Sequence, residues 1–219
     1  MEHIVKIIKK ENVTHDVIKF TVEKPENYKF TPGQATEVSI NTSELKEEKR
    51  PFTFTSLNKD KNLEFIIKVY PEHEGITDKL SKLNEGDELI IRDIWGAIKY
   101  KGKGTFIAAG AGITPFIAIF RQLKEDNQLE GNNLIFSNKY QKDIILEEEL
   151  KSYFKPILTL TREDKPEYKK GRINKELLKE NIKDFSQHFY ICGPMQFVVD
   201  VKKALDDLGA NTEKITIEI

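Results

Sequence analysis

A single cysteine, Cys192, in 219 residues excludes an internal disulfide, and with it any iron–sulfur cluster held by four thiolates of this chain. Charge of either sign is not in excess. Lys and Arg total 35 against 36 Asp and Glu, a formal net charge of −1, so nothing drives the whole molecule toward nucleic acid, a membrane surface or an acidic polymer. Any charged partner must be met by a local patch. No apolar run approaches the ~20 residues that span a bilayer, so no membrane insertion is expected. The start, Met1-Glu2-His3-Ile4-Val5-Lys6, has no secretory core or cleavage site. The expected compartment is the cytoplasm. Low-complexity tracts, internal repeats and Pro/Gly/Ser linkers are also missing. A chain of this length holds one large domain or two of about 100 residues each, and the pattern favours two, 1–99 and 100–219.

The first of these reads as β. Ile18, Phe20 and Val22 alternate with Lys19, Thr21 and Glu23, the period-2 signature of a strand with one buried face. A turn at Thr31-Pro32-Gly33-Gln34 precedes a second alternation at Thr36, Val38 and Ile40. Further strands are expected at Leu63–Tyr70 and Glu88–Asp93, with a short helix near Thr77–Leu83 between them. Short strands with turn signals between them predict a small antiparallel barrel. After Gly104 the rhythm changes. Thr105–Ala109, Leu134–Phe136, Ile157–Leu160, Phe189–Ile191 and Lys214–Ile217 are apolar runs of the kind that central parallel strands require. Helical segments separate them; in Pro194–Leu208, Val198, Val201, Leu205 and Leu208 fall at helical spacing, with Gly209 just past the end. This is a doubly wound nucleotide-binding pattern.

Three stretches carry chemistry. Arg50-Pro51-Phe52-Thr53-Phe54-Thr55-Ser56 combines a cation, a rigid Pro, an aromatic and hydroxyls. On an extended backbone Arg50, Phe52 and Phe54 share one side and Thr53 and Thr55 the other. Such a strand end offers a guanidinium for a phosphate, a plane for a flat ring and hydroxyl donors. The bland alternative is a barrel strand with two core Phe residues and a surface Arg. Gly110-Ala111-Gly112-Ile113-Thr114-Pro115 stands where a strand meets a helix. The glycines let the backbone approach a ligand closely, Thr114 is placed to cap the helix, and Pro115 suits its first turn. Free N–H groups there favour a pyrophosphate, although a purely structural turn has the same spelling. The usual dinucleotide fingerprint expects a third small residue where Pro115 stands and an acid after the second strand. Ser137-Asn138-Lys139 occupies that place, which disfavours an ordinary NAD dehydrogenase. Ile191-Cys192-Gly193-Pro194-Met195 follows a later strand. Cys192 reads either as a small buried hydrophobe or as a residue at the ligand-binding carboxyl end of a parallel strand.

Taken together, and in order from Pro32-Gly33-Gln34 to Glu218, these motifs resemble the ferredoxin reductase-type flavoproteins, which include flavodoxin reductases and oxygenase reductase components. Arg50-Pro51-Phe52-Thr53 is similar to that family's Arg-Pro-Tyr-Ser-type flavin motif, with Phe for Tyr and Thr for Ser. The resemblance implies an N-terminal antiparallel Greek-key flavin barrel followed by a doubly wound pyridine-nucleotide domain. It implies that Arg50 binds phosphate, Phe52 packs by the flavin ring and Thr53 donates to its reactive nitrogen. Ile67, Lys68 and Val69 with Gly75, Ile76 and Thr77 resemble the second flavin segment; Glu74 stands where a glycine is common, and FAD is implied over FMN. Lys68 is otherwise a solvated strand residue or a phosphate neutraliser. Gly110, Gly112, Thr114 and Pro115 resemble the pyridine-nucleotide motif, and Cys192, Gly193, Pro194 and Met195 the nicotinamide motif. Thr161 and Arg162, helped by Lys139 and Arg172, match the place of the adenosine ribose and its 2′-phosphate, a lean toward NADPH over NADH. Glu218 matches a near-terminal acid beside the flavin, and is otherwise a solvated carboxylate. Ile219 replaces an aromatic common there, which implies a more open flavin face or one covered by another group.

The implied activity is hydride transfer from NADPH or NADH to bound FAD, with Thr53, Cys192 and Glu218 at the reacting centre and Cys192 acting by contact, not covalently. The implied partner is a separate carrier: flavodoxin, ferredoxin or an oxygenase component. Two alternatives stand beside it, an electron-transfer subunit of a larger complex and a non-catalytic nucleotide-sensing module.

Overall fold

The computed structural model describes residues 1–218, so the expectation attached to Ile219 lies outside the described residues. Its first half contains β1 (His3–Asn12), β2 (Val17–Glu23), β3 (Ala35–Ile40), β4 (Arg50–Thr53), β5 (Asn62–Lys68), α1 (Ile76–Ser81) and β6 (Glu88–Trp95). The strands form a six-stranded antiparallel sheet in the order β4-β3-β6-β1-β2-β5. A bridge from Phe54 to Phe65 and a 2.9 Å bond from the Thr55 N–H to the Glu64 carbonyl join its two edges. The result is a closed barrel. Consecutive β3, β4 and β5 lie side by side while β6 returns beside β3, which is the Greek-key connection. Its interior is filled by Val5, Ile7, Phe20, Val22, Phe54, Leu63 and Phe65 among others. β1 was not legible as a strand because Ile4 and Ile8 face solvent while Val5 and Ile7 are buried, so the apolar residues run together instead of alternating.

The second half contains β7 (Gly104–Ala109), α2 (Thr114–Glu125), β8 (Asn133–Asn138), α3 (Glu147–Tyr153), β9 (Ile157–Leu160), β10 (Lys169–Lys170), α4 (Lys175–Asn181), β11 (His188–Cys192), α5 (Met195–Asp207) and β12 (Ile215–Glu218). The sheet is parallel throughout, in the order β10-β9-β8-β7-β11-β12. Alternate residues of its strands enter opposite cores. Phe106, Ala108, Leu134 and Phe136 pack under α2, while Ile107, Ile135, Phe189 and Ile191 pack under α4 and α5. Burial on both faces is why these strands read as unbroken apolar runs. From β7 the chain first runs toward β10 and then returns to β11 on the other side, so the strand order reverses at β7. Open α/β sheets bind ligands beyond the carboxyl ends of the strands at such a point.

The two halves meet through apolar packing. Val17, Ile66 and Ile98 of the first share one core with Phe116, Ile117, Ile119 and Phe120 of α2.

Candidate active site

Along the seam lies a cavity of about 860 Å³, within the usual range for small-molecule sites. The parallel sheet contributes its carboxyl ends: Ala109 of β7, Asn138 of β8, Thr161 after β9, Cys192 of β11 and Glu218 of β12. The barrel contributes Ala35, Pro51, Thr53, Lys68, Tyr70 and Trp95. Strand register explains the barrel wall. Ala35 of β3 stands opposite Thr53 of β4 on one side and Trp95 of β6 on the other, so the three form a row across the sheet.

On the facing wall, Cys192 is paired in register with Glu218 on β12 and with Ala108 on β7. Burial, and then the charge of Glu218, push the Cys192 thiol up to about 12, so at neutral pH it is a thiol and not a nucleophile. Burial also raises Glu218 above the usual carboxylate range, against the opposing N–H groups of Ile98 and Ala97; the Ile98 N–H donates to Oε2 at 3.4 Å. A carboxyl held toward its protonated form beside a cavity is equipped to hold or deliver a proton.

The loop between β7 and α2 closes the third side. Gly110 has φ +54°, a left-handed backbone that glycine adopts without strain. Gly112 is required for another reason: a Cβ there would stand 2.3 Å from the carbonyl oxygen of Cys192. The loop is thus pressed on the end of β11, and this glycine serves approach to protein backbone. Thr114 does not cap α2; it is the first helical residue, and its hydroxyl donates to the Ala111 carbonyl at 2.9 Å. That bond draws the loop into a tight 3-10 turn over Gly110–Ile113.

Asn138, at the end of β8, is buried with both side-chain polar atoms unpartnered. An unpaired buried polar group costs ~1–3 kcal/mol, and Asn138 lines the cavity. A polar ligand would supply the missing partner. With Lys139 and Arg172 also on the wall, the donor set fits a phosphate-bearing nucleotide.

Comparison with known proteins agrees. Residues 3–126, over half the chain, match the FAD-binding domain family, and residues 106–203 match the oxidoreductase NAD-binding domain family. The chain belongs to the ferredoxin reductase-like family of FAD- and NAD(P)-binding oxidoreductases. This member is 27% identical over 237 residues to NADH-cytochrome b5 reductase 3 of Rattus norvegicus, covering 89% of this chain and 78% of that protein. Its fold is shared with the FAD/NAD-binding domain of nitric oxide dioxygenase from Vibrio cholerae O1 biovar El Tor (TM-score 0.88, 20% identity, 98% and 97% of the two chains). The ferredoxin NADP+ reductase of Neisseria gonorrhoeae, with bound FAD and NADP, shares it too (TM-score 0.86, 22% identity, 99% and 98%). This family member is accordingly an NAD(P)H-dependent flavoprotein reductase with FAD as cofactor, passing electrons to a partner.

Within this reductase the cavity gathers Pro51, Thr53, Lys68, Gly110, Gly112, Thr114, Pro115, Thr161, Cys192, Gly193, Pro194 and Glu218 from the motifs of the sequence. Others fall elsewhere. Phe52, expected by the flavin ring, is half-buried against the barrel core, because Pro51 and Thr53 take the cavity side of β4 and alternation turns Phe52 away. Phe54 is fully buried in the barrel. Arg50 is exposed, its Nη1 donating to the adjacent Lys49 carbonyl at 2.7 Å. The side chains of Ile67, Val69 and Ile76 belong to the barrel core, which leaves only their backbone for ligand contact. Gly75 and Thr77 lie at the start of α1, off the cavity wall. Lys68 is on the wall but already ion-paired with Asp16. Arg162 is exposed and off the wall, whereas its expected helpers Lys139 and Arg172 line it. Met195 is exposed on the first turn of α5, where Gln196 and Phe197 face the cavity instead.

Trp95, Tyr70, Asp143 and Asp200 also line the cavity and were not singled out from the sequence. Trp95 had a usable signal: it is the one Trp of the chain and immediately precedes a glycine where the barrel ends. It is 47% exposed and stacks on no other aromatic among the described residues.

Proposed function

We propose that this reductase takes hydride from NADPH, or less readily NADH, into FAD held at the seam cavity and passes electrons singly to a small separate carrier protein, flavodoxin or ferredoxin. The observation that carries this reading is the single cavity shared by Thr53 of the barrel and Cys192 and Glu218 of the parallel sheet. Bound FAD supplies the conversion between a two-electron donor and one-electron acceptors. The residues supply placement and protons. Thr53 forms no intramolecular hydrogen bond through its hydroxyl among the described residues, so it is free to donate or accept toward the flavin's reactive nitrogen. Cys192 and the Gly112 loop would form the floor beneath the nicotinamide, and Glu218, whose burial favours its protonated form, would exchange a proton near the flavin. Lys139 and Arg172 support the preference for NADPH, as cations suited to an added phosphate.

The names of the relatives support a second carrier, a cytochrome b5-type haem protein; an oxygenase component is the third candidate. The test is to purify the protein, identify its flavin, and follow bleaching by NADPH and NADH without oxygen. Reoxidation by ferredoxin, flavodoxin and cytochrome b5 is then compared. A protein that takes up no flavin, or whose flavin neither nucleotide bleaches, would refute the reading. Thr53→Ala is expected to keep its flavin and lose about a hundredfold or more in bleaching rate, the scale of a lost proton-handling group; a normal rate would remove Thr53 from this role.

A further inference from the structure

Arg121 does not line the cavity, yet it is the most heavily bonded side chain at the seam. It lies on α2, seven residues after Thr114, or about 10 Å along the helix. Its Nη1 crosses to the barrel, donating to the backbone carbonyl of Thr55 at 2.8 Å and to Glu64 Oε1 at 2.6 Å. Its Nε and Nη2 grip the two oxygens of Glu149 on α3 at 2.7 and 2.9 Å. The barrel end of this arrangement is itself tied down. Glu64 accepts from the Thr55 hydroxyl at 2.7 Å, and the Glu64 N–H donates to the Ser56 hydroxyl at 3.0 Å. Thr55 is two residues beyond Thr53.

We propose that Arg121 is a positioning residue for hydride transfer: its fork sets the separation between the Thr53 wall and the Gly112–Cys192 wall of the cavity. The inference rests on the reading above, that the two rings meet in this cavity. Hydride donor and acceptor must approach within ~3–3.5 Å, and a misplacement of about 1 Å costs on the order of a hundredfold. The apolar contacts of the seam hold the halves together but are non-directional. The packing of Val17, Ile66 and Ile98 against α2 fixes no direction along the seam by itself. Two directional bonds from Nη1 cross to the barrel, and the two to Glu149 hold the rigid, planar group from behind, so the fork opposes displacement along the seam. The same helix that begins at the nicotinamide loop is therefore locked to the strand segment that follows Thr53. Among the described residues no other side chain bonds to both barrel backbone and a carboxylate of α3.

The test uses Arg121→Lys, which keeps the charge but cannot reach all three partners, and Glu64→Gln, which removes the charge from the arm across the seam and leaves the Arg121–Glu149 pair in place. Single-turnover flavin bleaching is followed at saturating NADPH and at saturating 4-deuterated NADPH over a range of temperatures. For both variants flavin content and KM are expected to stay within about twofold. The limiting rate constant is expected to fall tenfold or more for Arg121→Lys and less for Glu64→Gln, and the isotope effect to become more temperature-dependent, as it does when the donor–acceptor distance is poorly held. Rates and isotope effects equal to those of the unaltered protein would overturn the proposal. So would a slower rate whose isotope effect keeps its original temperature dependence, which is the behaviour of a merely structural prop. If Arg121→Lys does not fold, Glu64→Gln decides alone. Failure of the unaltered protein to bleach at all would instead refute the functional reading.

Discussion

Replacing Gly112 by Ala adds one methyl group at the tightest point of the site. That Cβ would stand 2.3 Å from the Cys192 carbonyl oxygen and 2.6 Å from the Gly193 nitrogen, about 1 Å inside ordinary contact. Both atoms are backbone, so no side chain can swing away. β11 is hydrogen-bonded to β7 on one side and β12 on the other, so the strand is the stiffer party and the Gly110–Ile113 loop must move. Overpacking of this kind costs ~1–3 kcal/mol of stability. A loop displaced by about 1 Å carries Thr114 with it, and if the loop seats the nicotinamide as proposed, a shift of that size lowers the hydride-transfer rate by about a hundredfold. The barrel wall is untouched, so flavin content should stay normal. Stopped-flow bleaching against NADPH concentration, with a thermal melt alongside, separates these effects. A variant with unaltered limiting rate and KM would refute the claim that the loop seats the nucleotide through contact with Cys192.

Cys192, with its thiol pushed up to about 12, should have about one molecule in ten thousand ionised at pH 8, so iodoacetamide should label it far more slowly than a free cysteine; labelling at the free-thiol rate would contradict its assigned burial. Trp95, the single Trp, should lose emission when FAD is added to flavin-free protein, and unchanged emission during demonstrable flavin uptake would place the ring elsewhere. Burial raises Glu149, but the hydrogen bonds and charge of Arg121 outweigh it and hold the carboxyl below the usual range. Its stabilisation is therefore complete above an unfolded value of ~4.3 and is lost as pH falls through the lower folded value. Glu149→Gln should flatten the acid limb of melting temperature against pH below about pH 4.5, and parallel curves for the two proteins would deny the ion pair a part in acid stability.

Much of this molecule was legible in the order of its residues. Alternation at Ile18–Glu23 and unbroken apolar runs such as Phe189–Ile191 depend on local geometry and on whether one face or two are buried, and both survive in the one-dimensional pattern. The motifs at Gly110–Pro115 and Ile191–Met195 were likewise readable, because a strand-to-helix turn needs its special residues next to one another. What the sequence could not decide was which side of a short strand faces the ligand. Arg50–Thr53 spells a flavin cradle in either orientation, and only the pairing of β4 with β3 turns Thr53 toward the cavity and Phe52 toward the core. Nor could it show that Gly112 yields to Cys192, 80 positions away, or that Arg121 reaches Glu64. The first contact arises from the pairing of β11 beside β7 within the parallel sheet and the second from packing of α2 against the barrel; both join residues far apart in the chain, which no local pattern records.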